Sequence, residues 1–90
     1  MTMQERIHEK LIEAFQPDML EVIDESHQHA GHAGWREGGE THFRVRMTAA
    51  AFEGESRINR QRAINRCLAA ELEERVHALA MELRAPGDAP

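Results

Sequence analysis

Ninety residues make one domain, near the lower end of what a single hydrophobic core supports unaided. Apolar residues at 41% and charged residues at 30% describe a globular chain rather than a disordered one, and a net charge of −5 argues against a binder that works by blanket phosphate neutralisation. The single cysteine, Cys67, forms no internal disulfide, and no apolar run approaches the roughly 18 residues of a membrane span, so a cytoplasmic protein without membrane contact is expected.

In chain order, Thr2-Met3-Gln4-Glu5 has the spacing of a capping box. Behind it Ile7, Leu11, Ile12 and Phe15 recur at helical spacing, and Pro17 stops the pattern, which predicts a helix over 3–15. Residues 19–26 are short and rich in branched side chains, with Leu20 and Val22 on one face and Ile23 on the other, as in a strand. The clearest strand covers 40–48. There Phe43, Val45 and Met47 alternate with His42, Arg44 and Arg46, one set facing a core and the other solvent.

These neighbouring strands are expected to pair antiparallel. Their connection, 27–39, is far longer than the ~2–5 residues usual for a hairpin, and so long a loop in a small domain is more often functional than accidental.

After a turn at Phe52-Glu53-Gly54, Ser56 caps a second helix expected to run to Leu72. Its inward stripe is Ile64, Cys67, Leu68, Glu71 and Leu72, with Glu71 placed at the edge. Residues 75–83 alternate again, with Val76, Ala78 and Ala80 on one face and His77, Leu79, Met81 and Leu83 on the other. The folded domain is set at 1–84, and 85–90 reads as a flexible tail. The order α-β-β-α-β gives an α+β fold: a mixed three-stranded sheet with helices packed on one side, strands two and three being parallel across a crossover.

Several residues bear on chemistry. His27, His29 and His32 form H-x-H-x-x-H within the loop, and imidazole suits Zn, Cu, Ni and Fe, so the loop is either a metal-buffering element or a solvated polar segment. His77 is either a hydrogen-bonded, partly buried residue or a ligand with one ring nitrogen free. His42 alternates outward and reads as a surface or cross-strand residue. Cys67 reads as a small core hydrophobe, which leaves no internal set of four ligands for an iron–sulfur cluster. Arg57, Arg60, Arg62 and Arg66 have no acidic residue among them. They form a nucleic-acid face, a solvated helix flank, or a docking surface for an acidic or glutathione-bearing partner. Ser26 and Ser56 have no evident base-and-orienter arrangement, and no phosphate-cradling loop or H-E-x-x-H motif is present, so no enzyme is expected; no G-x-x-G loop of the KH type is expected either.

Four blocks, LEVIDESHQHAGHAG, ETHFRV, FEGESRINRQR and CLAAELEERVHALAM, together resemble the BolA family from Leu20 to Met81. The resemblance implies a core similar to a type II KH module, in agreement with the order above. It also implies a partner, a monothiol glutaredoxin with its glutathione, sharing a [2Fe–2S] cluster in iron–sulfur assembly, transfer or iron sensing. On this resemblance His77 and a loop histidine (His29 first, His32 second, His27 third) are the metal ligands. The glutaredoxin and its glutathione supply the two sulfurs, and no cluster is expected on the isolated chain. Some relatives act as DNA-binding transcription regulators, which makes DNA the alternative partner, through the Arg-rich helix. A weak homodimer stays open.

Overall fold

Helix α1, Met3–Phe15, begins where the capping box says it must. Thr2 Oγ1 accepts the Glu5 N–H at 3.1 Å and the Glu5 carboxylate accepts the Thr2 N–H at 3.3 Å, so two otherwise unpaired donors are satisfied reciprocally. Gln16 ends it in the left-handed conformation, φ 47°, ahead of Pro17. The computed structural model describes residues 2–26 and 41–88. In it Ile7 and Leu11 of α1 are fully buried, while Ile12 stays 42% exposed.

Strands β1, Met19–Asp24, and β2, His42–Thr48, pair antiparallel from Met19↔Thr48 to Asp24↔Phe43. Strand β3, Ala78–Arg84, adds to the other side of β2 in parallel, from His42↔Ala78 to Thr48↔Arg84, giving the sheet order β1-β2-β3. The alternation expected of β2 is present: Phe43, Val45 and Met47 are buried against Val22, Phe52, Ile64 and Leu68. Each such side chain contributes about 1.5–3 kcal/mol by leaving water. On the opposite face Arg44 and Arg46 reach sideways to glutamates of both neighbouring strands. Arg44 meets Glu25 at 2.9 Å and Glu82 at 3.3 Å, and Arg46 meets Glu82 at 2.8 Å and Glu21 at 4.0 Å.

Past β2 a single 3₁₀ turn, Ala50–Phe52, leads to Gly54, whose φ of 76° suits a residue without a Cβ. The second helix differs from expectation. It is two helices, α2, Arg57–Cys67, and α3, Ala69–Glu74, broken at Leu68 with φ −103° and ψ 19°. Leu68 remains buried at the break, and α3 is re-aimed so that Glu71 points inward. Glu71 therefore does not lie at an edge: it is fully buried, with its carboxylate 2.9 Å from Arg6 and 2.8 Å from Lys10 of α1. Burial alone raises a carboxyl pKa, but the hydrogen bonds and charges of Lys10 and Arg6 outweigh it and hold Glu71 below the usual range.

The third strand starts later than its alternation implies. The N–H groups of His77 and Ala78 both donate to the Thr41 carbonyl, at 2.7 and 3.2 Å, and that shared acceptor resets the phase. Val76 is buried, His77 and Ala78 are exposed, and regular pairing begins only at Ala78. Beyond β3, Ala85 is buried, its N–H donates to Asp88 Oδ2 at 2.9 Å, and the same oxygen meets Arg60 Nη1 at 2.6 Å.

Candidate functional site

The site is assembled at the end of the sheet where β1 leaves and β2 returns. Asp24 faces Phe43, and the Glu25 N–H donates to the His42 carbonyl at 2.7 Å, so antiparallel pairing continues beyond β1. Ser26, fully buried, closes the root. Its Oγ accepts the N–H of Thr41 at 3.0 Å and of His42 at 3.2 Å, satisfying two backbone donors that the sheet leaves over. Asp24 in turn accepts the Ser26 N–H at 2.9 Å, an Asx turn that fixes the serine.

His77 is brought to this root by the Thr41 carbonyl, which accepts its N–H. Its side chain is exposed, and no hydrogen bond to its ring is made among the described residues. The neighbouring ring belongs to His42, with centroids 5.5 Å apart and planes at 53°. His42 is not the outward surface residue that alternation implies. It is 6% exposed, and its Nδ1 lies 2.9 Å from Thr41 Oγ1. The connection from α3 into β3 passes beside the start of β2, where the His77 N–H meets the Thr41 carbonyl, a tertiary contact that strand periodicity does not carry.

His29 and His32, like His27, lie outside the described residues, so their separation from His77 is not described. Gly31-His32-Ala33-Gly34 has the G-x-x-G spacing of the clamp on nucleotide backbones in KH modules, against the expectation that the chain has no such loop, and lies in the same segment. Among the described residues no group of three or more His, Cys, Asp and Glu side chains could hold a metal ion. His77 thus supplies one exposed imidazole, and a full set of three or more ligands is not assembled from the described residues alone. An imidazole of this kind suits an iron of a mixed-ligand [2Fe–2S] centre. Cys67 is half-buried with Sγ 3.7 Å from the Lys10 carbonyl, and burial pushes its thiol pKa up, away from the thiolate that a metal requires.

The arginines of α2 divide. Arg60 is a structural residue: it donates to the carbonyls of Glu55 and Leu83, pairs with Asp88, and lies over the Phe52 ring at 5.8 Å. Arg57, Arg62 and Arg66 are exposed. No helix among the described residues is long and apolar enough to cross a membrane.

Comparison with known proteins accords with this geometry. The chain is 55% identical over 89 residues to a Sinorhizobium protein called "Uncharacterized protein in cobS 5'region", covering 98% of this chain and 96% of that one. It is 49% identical over 81 residues to the DNA-binding transcriptional regulator BolA of Escherichia coli K12, covering 90% and 73% respectively. Among solved structures, the BolA domain of SufE1 from Arabidopsis thaliana superposes with a TM-score of 0.86 at 42% identity, covering 96% of this chain and 94% of that one. The model of the BolA-like protein family matches residues 11–88. The chain belongs to the BolA family.

Proposed function

We propose that this protein is a non-catalytic partner of a monothiol glutaredoxin that contributes histidine ligands to a shared [2Fe–2S] cluster. The observation that carries the reading is the exposed His77 ring fastened, through its own backbone, to Thr41 at the root of the histidine-bearing segment. One imidazole is thereby held beside the two described ends, Ser26 and Thr41, of the segment whose sequence carries the other proposed ligand, His29 before His32. Imidazoles in place of thiolates reduce the negative charge on the cluster and raise its potential, and they must be deprotonated at the ligating nitrogen to bind.

Mixing the chain with cluster-loaded monothiol glutaredoxin tests this. A changed visible absorption and circular dichroism spectrum is expected, together with a complex on gel filtration. His77→Ala is expected to abolish the change, and His29→Ala to weaken it more than His32→Ala. An unchanged spectrum and no complex would end the reading.

A second reading, a transcription regulator that binds DNA, is favoured by exposed Arg57, Arg62 and Arg66 on a helix without acidic residues, and by the name of the Escherichia coli relative. If those arginines meet phosphates, the salt dependence of binding has a slope of about −0.9 per contact. Loss of a gel shift on Arg62→Ala with the fold intact would favour it; no shift at moderate salt would exclude it.

A further inference from the structure

Strand β3 is an edge of the sheet, and the ladder's phase shows which of its backbone groups point away. The Ala78 N–H donates to Thr41 and the Arg84 carbonyl accepts from Ala49. In the parallel pairing with β2, the even-numbered residues from Ala78 to Arg84 therefore turn their polar backbone groups inward. Leu79, Met81 and Leu83 turn theirs outward. Arg60 Nη1 takes the Leu83 carbonyl at 3.3 Å. The remaining outward N–H and carbonyl groups of these residues find no partner among the described residues.

The same three side chains pack against the core yet stay partly exposed, because nothing described covers this edge. A groove of about 410 Å³ opens there between α2 and β3, lined by Arg57, Gln61, Met81 and Arg84 among others. Its charges are not balanced. Glu82 is occupied by Arg44 and Arg46, and Asp88 is shared between its bond to Arg60 and the charge of Arg84, which leaves Glu55 as the one further carboxylate lining the groove with Arg57 and Arg84. The edge of β1 differs. Gln4 caps the Val22 carbonyl at 2.6 Å, and the groove beside it carries Glu5 and Glu9.

We propose that the outer edge of β3, with α2 beside it, docks an extended acidic segment of a partner protein, which joins the sheet as a fourth strand. Outward donors and acceptors recurring at every second residue, about 6.6 Å apart, match the repeat of an extended peptide. The surplus of arginine selects acidic side chains. Nucleic acid would meet the same charge but not that backbone repeat. The inference goes beyond the cluster reading and does not depend on it.

The test uses the whole chain, ¹⁵N-labelled, titrated with an octapeptide alternating valine and glutamate and with its valine–lysine counterpart. The acidic peptide is expected to shift and protect the amides of Leu79, Met81 and Leu83. The basic one is expected to bind on the order of tenfold more weakly. The double change Arg57→Glu, Arg84→Glu should reverse that preference. Met81→Pro, which deletes an outward N–H and spares the inward ladder, should abolish binding. Equal binding of both peptides, shifts centred on Leu20 and Val22, or displacement of the peptide by a single-stranded DNA oligonucleotide would overturn the proposal.

Discussion

The rings of His42 and His77 lie 5.5 Å apart at the root of the 27–40 segment, the first buried and the second exposed. Side by side, they have opposite expected behaviour. His42→Ala removes a buried ring and its contact with Thr41 Oγ1, and should cost about 1–3 kcal/mol of stability. His77→Ala touches an exposed ring and should change stability by less than about 0.5 kcal/mol. Urea unfolding of the two variants measures the difference, and a larger loss for His77→Ala would contradict the geometry.

Ser26→Ala is expected to destabilise more than its one missing oxygen implies. It leaves the N–H groups of Thr41 and His42 buried without their acceptor. The expected loss is about 2 kcal/mol, since an unsatisfied buried donor costs about 1–3 kcal/mol. Ser26→Thr, which restores an acceptor, should recover part of it. The glutaredoxin spectral assay on Ser26→Ala then shows whether His77 is still presented correctly.

Glu71 makes the pH response of the fold readable. Its folded pKa is lowered, so its stabilisation is fully present above the usual value of 4.5 and is lost as pH falls through the lower folded value. Glu71→Gln should flatten the acid limb of a stability–pH curve relative to the parent. The two countercharges of Glu71, Arg6 and Lys10, keep 31% and 42% of their side chains exposed, whereas its carboxylate is fully buried. Removing both leaves the carboxylate buried with a backbone hydrogen bond but no countercharge, at a cost of about 3–5 kcal/mol near neutrality. In that double variant burial dominates and the pKa rises above the usual value. The sign then inverts: the Glu71 contribution falls as pH rises through the carboxylate range. Denaturant midpoints between pH 3 and 7 (about the carboxylate range and upward) show either slope.

Arg60 and Arg62, two residues apart on α2, should separate folding from binding. Arg60→Ala loses hydrogen bonds to the Glu55 and Leu83 carbonyls and the Asp88 pair, and should cost about 1–2 kcal/mol. Arg62→Ala, at an exposed position, should leave thermal stability unchanged. Any loss of DNA affinity in Arg60→Ala must therefore be read against its Tm, whereas in Arg62→Ala it reports binding directly.

How much of this was legible in the sequence follows from where the determinants sit. The capping box at Thr2 and the alternation of Phe43, Val45 and Met47 are local signals, and both elements form as read. The break at Leu68 has no local signal, because neither Gly nor Pro marks it and both flanking segments are good helix formers. Glu71 looked like an edge residue because the cations that neutralise it stand on α1, far away in the chain. The burial of His42 comes with tertiary contacts, the His77 ring among them, which no period in β2 encodes. The basic stripe of α2 was legible as composition, but only tertiary contacts distinguish Arg60 from its neighbours.

The closure formed by Ser26, Thr41 and His42 bears on what holds the two ends of the 27–40 segment together. Both ends of the intervening stretch are tied off by bonds made outside it. The ties themselves are made by Glu25, Ser26, Thr41 and His42, not by the residues strung between them. On the proposed cluster reading, exchanging a donor inside that stretch leaves untouched the backbone bond that fastens His77 to Thr41.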